Sequence, residues 1–342
     1  MKRILASGAL VVWALAVLGA TPQQQTPPQQ TPQQEPQKEP QKDPQEQRPV
    51  FRGSRDTVRV FATVTDRDGR LATNLKQDAF EVRDDGKPQP ITQFDNTPQP
   101  IQLIVLLDVS GSMEGNAPLL YAAGTQLFGR LLKDDVARVG TFGHDVTISP
   151  TFTNNPRELT AGLPTTIAPD APTPLWRAID QAIGTFNNED DRRKVIIVLT
   201  DGKDTGPTSF RQRVVSQADV IDRSRKEDVM IYAVGMRSRS RHNNVPPGGM
   251  GGVGGMQAML VADLPDPGLA RVAEESGGGY IEIKYGEDLG AAFTGVADEL
   301  HTQYLVAFTP PKRDGKTHDV SLKVNESGMK TRAKKSYIAP KG

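Results

Sequence analysis

Cysteine is absent from the 342-residue chain. That gap excludes disulfide scaffolds, thiolate zinc sites, iron–sulfur clusters, cysteine nucleophiles and a lipidated N-terminal cysteine. Net charge is absent as well, since 41 Lys and Arg stand against 41 Asp and Glu. Without a basic excess there is no bulk attraction to nucleic acid or anionic lipid, and neither is expected as a partner. Hydrophobic residues are scarce at 36%, against the ~45% usual in globular chains. A biased N-terminal segment accounts for part of the deficit. No P-loop pattern occurs, and the four histidines, His144, His242, His301 and His318, lie apart without metal-ligand spacing. Each reads as a surface or turn residue rather than a catalytic base. Length alone suggests about two domains.

The first segment that is present speaks to compartment. Lys2 and Arg3 precede an apolar run from Ile4 to Leu18, followed by Gly19-Ala20. A basic start, an apolar core and small residues at the end predict a secretory signal peptide over 1–20. The alternative is an uncleaved anchor, the only route to a membrane that the sequence offers. On either reading the rest is exported, to periplasm, cell envelope or medium. Residues 21–50 are mostly Gln and Pro, with no Leu, Ile or Phe to bury. No core can form there, and recurrent proline favours an extended spacer of ~3 Å per residue.

Beyond the spacer the pattern turns to β and then to alternation. Val58–Thr65, Phe80–Arg83 and Ile91–Phe94 read as strands, with Asp85-Gly86 as a hairpin turn. Ile101–Leu107, Val195–Leu199 and Val229–Val234 are apolar throughout, as strands buried on both faces must be. Helical spacing separates them: Leu119, Leu120, Ala123, Leu127, Phe128 and Leu131, then Leu175, Ile179, Ala182, Ile183 and Phe186. Further helices are expected over 210–226, 267–276 and 288–303. This is the pattern of an α/β, doubly wound and mostly parallel sheet. Val136–Phe142 and Val146–Phe152 suggest one antiparallel edge. Tyr304–Phe308, Asp319–Val324 and Thr331–Ile338 return to β pattern. Neither flank alone can close a sheet, so residues 51–97 and 304–342 are expected to form one smaller β-sandwich into which 98–303 is inserted.

Chemistry concentrates at Asp108-Val109-Ser110-Gly111-Ser112, where the first apolar strand gives way to a loop and a helix. Ligands of open α/β sheets bind beyond the carboxyl ends of the strands. A carboxylate and two hydroxyls at alternate positions offer three hard oxygen donors, which suit a small hard cation such as Mg²⁺. Gly111 lets the backbone bend between them. Asp201, closing the strand from Val195, supplies a second carboxylate, although Asp-Gly after a strand is often only a turn. Thr173, in Pro172-Thr173-Pro174, stands at a helix start, where its hydroxyl either caps the helix or faces the metal.

Asp108-Val109-Ser110-Gly111-Ser112 with Thr173 and Asp201-Gly202 resembles the metal-ion-dependent adhesion site of von Willebrand factor type A (VWA) domains, including those of bacterial exported proteins. The likeness spans about residues 98–303. It implies a divalent cation, usually Mg²⁺, with Mn²⁺ or Ca²⁺ as alternatives. Ser110 and Ser112 would bind it directly, Thr173 directly or through water, and Asp108 and Asp201 mainly through water. An Asp or Glu carboxylate of a protein partner would complete the coordination, and the protein would be non-enzymatic. One departure is Ala171-Pro172 before Thr173, where the family often has glycine.

Two other readings compete. Asp108 beside Mg²⁺ could accept a phosphoryl group, but enzymes of that type resemble an Asp-x-Asp pattern, and Ser110 cannot serve as the second acid. A structural envelope protein with a vestigial metal loop is the other. Gly249-Met250-Gly251-Gly252-Val253-Gly254 satisfies a dinucleotide pattern literally, yet lies inside a Gly/Pro/Met-rich segment rather than between a strand and its helix. It predicts no nucleotide. Met250, Met256 and Met259 suggest either a plain loop or part of a partner surface.

Overall fold

Residues 57–207, 212–237, 264–284 and 287–342 are described by a computed structural model, and all belong to one unit, Phe51–Gly342. The signal and spacer segments, His242 and the Gly/Met segment lie outside the described residues.

The apolar runs form the centre. β5 (Ile101–Asp108), β8 (Arg193–Thr200) and β9 (Val229–Met236) lie parallel, flanked by β10 (Tyr280–Ile283) and by β6 (Val136–Phe142) with β7 (Val146–Ile148). The order is β10-β9-β8-β5-β6-β7, and only the β6–β7 pair is antiparallel. Strand periodicity then sorts side chains to two faces. Leu103, Val105 and Leu107 pack against α1 (Ala117–Phe128), α2 (Pro156–Ala161) and α6 (Leu289–Thr302). Ile104 and Leu106 pack against α3 (Leu175–Ile183), α4 (Gln217–Glu227) and α5 (Gly268–Ser276). Each such side chain contributes about 1.5–3 kcal/mol by leaving water.

Both flanks supply the remaining strands. One sheet has the order β13-β1-β11-β4, from β1 (Val58–Thr65), β4 (Gln93–Asp95), β11 (Tyr304–Phe308) and β13 (Lys330–Ala333). The other runs β14-β12-β2-β3, from β2 (Phe80–Asp84), β3 (Lys87–Gln89), β12 (Thr317–Val324) and β14 (Ser336–Ile338). Val60, Val82, Tyr304 and Val320 share the core between them. The α/β layer is therefore inserted into an antiparallel sandwich built from the two ends. β1 is buried on both faces: Val58, Val60 and Val64 face the sandwich core, while Phe61 packs into the α/β core.

Several elements depart from their expected bounds. Thr331–Ile338 is two strands, because the chain changes sheets at Lys334-Lys335. β7 ends at Ile148; Pro150 has no N–H for a ladder, and the chain re-pairs through Thr153 with Ala137. α4 starts at Gln217, where Ser216 and Asp219 form a reciprocal cap. Leu119 lies on the solvent side of α1, 36% exposed. His318 is not a surface residue: it is buried in β12, 3% exposed.

Candidate metal centre

Asp108 ends β5 at the carboxyl edge of the central sheet. Leu107 pairs with Leu199, so Asp108 and Thr200 finish neighbouring strands at one level. Thr200 Oγ1 donates to Asp108 Oδ2 at 2.5 Å, and the Ser110 N–H donates to Oδ1 at 2.8 Å. Burial pushes the Asp108 carboxyl up to about 7; the bonds from Ser110 and Thr200 oppose the rise, and nearby Asp201 adds to it.

The two serines lead from this carboxylate to the next loop. Ser110 Oγ lies 3.1 Å from Ser112 Oγ, and Ser112 Oγ donates to Asp201 Oδ1 at 2.5 Å. Ser110 is buried and Ser112 exposed, so the row of oxygens opens to solvent at Ser112. Asp201 Oδ2 is buried without a hydrogen-bond partner among the described residues. Burial raises the Asp201 carboxyl, against the Ser112 hydrogen bond. An unpaired buried carboxylate oxygen is costly, and a cation at this place would offset the cost. Oxygen donors of this kind fit Mg²⁺.

Thr173 comes to the same place from the loop before α3. It is 5% exposed. A Cβ placed on Gly202 would lie 3.0 Å from its Oγ1, so the hydroxyl rests against the Asp201-Gly202 turn. The Leu175 and Thr205 N–H groups both donate to the Thr173 carbonyl at 2.9 Å. α3 has Pro174 at its cap position and no side-chain cap, so the Thr173 hydroxyl is not spent on the helix. The structure thus brings all five candidate residues together at one rim.

Gly111 has a different role from the one the sequence suggested. Its N–H donates to the Ala171 carbonyl at 2.9 Å, and a Cβ there would meet the Pro169 carbonyl oxygen at 2.1 Å. The loop carrying Thr173 is laid directly across the Asp108 loop, and only glycine permits that approach. The sequence reading also passed over Thr200, whose signal was a hydroxyl next to Asp201 at a strand end. Asp204 and Asp266 were missed too. Asp204 accepts from the Trp176 N–H at 3.3 Å, and Asp266 from the Asp204 N–H at 3.1 Å, which ties the Asp201 loop to α3 and to the start of α5. His144 Nε2 lies 3.3 Å from Asp170 Oδ1 on the exposed rim.

Residues 102–247 match the model of the von Willebrand factor type A domain. No curated protein matches the chain. Among solved structures, a von Willebrand factor type A protein from Catenulispora acidiphila is 12% identical, covering 83% of this chain and 74% of that one, with a TM-score of 0.45. Proximal thread matrix protein 1 of the mussel byssus, with zinc in its MIDAS motif, is 16% identical over 63% of this chain and 49% of that one, TM-score 0.45. An aerotolerance-related membrane protein from Bacteroides fragilis is 15% identical over 58% of this chain and 98% of that one, TM-score 0.41. The fold of the described residues is that of a von Willebrand factor type A domain, whose family model matches residues 102–247.

Proposed function

We propose that the protein binds a protein partner through a divalent cation, Mg²⁺ foremost, held by Asp108, Ser110, Ser112, Thr173 and Asp201. The observation that carries this reading is the Ser110–Ser112–Asp201 row, with an unpaired buried Asp201 oxygen at one end and a solvent-exposed Ser112 at the opening. When bound, the ion supplies an uncompensated positive charge at the mouth, because two or three of its protein donors are neutral hydroxyls. A partner's Asp or Glu carboxylate gains a strong contact there, more so as water is excluded. Thr200 and the Ser110 N–H orient Asp108, and Asp204 with Asp266 fixes the loop that presents Asp201.

The rest of the chain presents this site. In our division residues 98–303 form the VWA domain and 51–97 with 304–342 the sandwich that carries it. Residues 1–20 direct export, supported by Lys2, Arg3 and the following apolar run, and 21–50 hold the folded part away from its surface. The protein has no catalytic role in this reading, since Ser110 stands where a phosphoryl-transfer enzyme would need its second acid.

Pull-down from an envelope extract tests the proposal. Mg²⁺ should allow capture of a discrete partner, chelator should abolish it, and Asp108→Ala should abolish it with the fold retained. Equal capture by Asp108→Ala, or Mg²⁺-dependent hydrolysis of a phosphomonoester lost in that variant, would overturn it.

A further inference from the structure

His318 lies where a turn residue was expected and is instead nearly enclosed, 3% exposed. In β12 it pairs with Tyr337 of β14, and its neighbour Asp319 exchanges bonds with Asp85 at the β2–β3 turn. Its Nε2 is 3.2 Å from Asp314 Oδ1. A carboxylate only accepts, so the proton of a neutral imidazole sits on Nε2 and Nδ1 carries the lone pair.

Nδ1 faces two further carboxylates, 3.1 Å from Asp85 Oδ2 and 3.3 Å from Asp84 Oδ1. Despite those distances it makes no hydrogen bond among the described residues. The oxygens therefore flank the Nδ1 axis instead of lying on it. Three atoms with lone pairs converge, and their mutual repulsion calls for a cation between them. Ligand atoms of the three residues all lie within 4.8 Å of one another. Around an ion with bonds of about 2.0–2.2 Å, adjacent tetrahedral ligands stand roughly 3.3 Å apart, close to the 3.1 and 3.3 Å that separate Nδ1 from the two carboxylate oxygens. Two carboxylates and a neutral imidazole balance a double charge.

The surroundings fit the same role. A metal-bound imidazole commonly donates its other N–H to a carboxylate, as Nε2 does to Asp314. Tyr337 donates to Asp84 Oδ1 at 2.7 Å and fixes that carboxylate. Asp84 is 2% exposed, whereas the Asp85 side chain is 44% exposed and leaves a way in. Lys312 Nζ lies 3.9 Å from Asp85 Oδ2, on a side chain that is 62% exposed and can swing away.

We propose that Asp84, Asp85 and His318 bind a divalent transition-metal ion, with Zn²⁺ the best match to one imidazole and two carboxylates. The site belongs to the sandwich and not to the sheet that bears Asp108. It clips the β2–β3 turn to β12, a cross-link in a chain that has no disulfide.

The test uses the full chain carrying Asp108→Ala, stripped with chelator, so that the other candidate site is removed. Titration with Zn²⁺ should show one equivalent bound and a raised unfolding temperature. Co²⁺ in its place should give visible d–d absorption from a nitrogen-ligated ion. Asp85→Asn, at a half-exposed position that keeps the fold, should weaken Zn²⁺ binding at least about tenfold, as should Asp314→Asn through the imidazole. His318→Gln should remove the Co²⁺ absorption. The proposal is overturned if Zn²⁺ does not bind, or if Asp85→Asn binds it as tightly as its parent. It is overturned equally if nitrogen-15 spectra show His318 doubly protonated at neutral pH with no metal uptake, a proton then filling the gap.

Discussion

Asp108 answers to two opposed demands. Burial favours its neutral form and raises its carboxyl to about 7 in the metal-free protein, whereas a cation needs the ionised form. The unfolded value is about 3.9. A carboxyl raised on folding is more protonated in the folded state, so metal-free stability falls as pH climbs from about 4 to about 7. In the proposed function metal binding would reverse the preference, and its stabilisation would grow through the same window. Asp201, raised by burial too, adds in the same sense. We expect the melting temperature of chelated protein to drop between pH 5 and pH 8 more steeply than that of Asp108→Asn. Mg²⁺ should restore more at pH 8 than at pH 5. Parallel pH profiles for the two proteins would refute the assignment. Thr200→Val removes the hydroxyl that donates to Asp108 Oδ2, and should cost about 1–2 kcal/mol. Calorimetric Mg²⁺ titration should show weaker binding, most clearly below pH 7. The Asp108–Ser110–Ser112 trio was legible because five consecutive residues carry it. Thr200 was not, since its contact arises only when β5 and β8 fall into register.

At the scale of elements, the site depends on how closely one loop crosses another. In Gly111→Ala the new methyl would meet the Pro169 carbonyl oxygen, and backbone cannot yield as a flexible side chain can. The loop over 168–173 must shift and carry Thr173 with it. We expect a loss of about 1–3 kcal/mol together with weakened Mg²⁺ binding. Gly115 provides the contrast: its φ is +86° and a Cβ would meet nothing within 4 Å among the described residues. Gly115→Ala should cost about 1 kcal/mol in backbone strain and leave metal binding alone. If thermal melts and Mg²⁺ titration affect the two variants alike, loop crossing does not hold the site. The sequence suggested a bend at Gly111, because contacts between distant loops leave no local trace. Strand identity was readable for the same local reasons that sheet membership was not. Lys330–Ala333 and Ser336–Ile338 share one β pattern, yet the first pairs with β1 and the second with β12. The Asp85-Gly86 turn, by contrast, was plain from composition; both residues adopt positive φ, 45° and 76°.

Across the whole molecule, a polar cluster joins the sandwich to the α/β layer. Glu299 of α6 accepts from Thr63 of β1 at 2.7 Å, and also from Tyr232 of β9 and Arg332 of β13. Gln303 donates to Thr63 at 2.8 Å and to Tyr232 at 3.1 Å. Arg193 donates to the Leu300 carbonyl at 2.9 Å, lies 4.6 Å over the Phe61 ring, and is pulled down to about 10 by burial. No sequence pattern exposes this cluster, whose members come from five separate segments. Its effect is that neither layer can lose its partner without stranding charges and hydroxyls. Glu299→Ala leaves Arg332 and Tyr232 without their acceptor, and should cost about 2–3 kcal/mol, at the lower end for a broken buried pair because Arg332 is partly exposed. Because β1 and β11 pair across the two ends of the chain, the loss should fall on both layers. Native-state hydrogen exchange should show the amides of β1 and β11 losing protection together with those of β8 and β9. If Glu299→Ala instead opens the sandwich while β8 and β9 keep full protection, the two layers are separate folding units and Glu299 does not couple them.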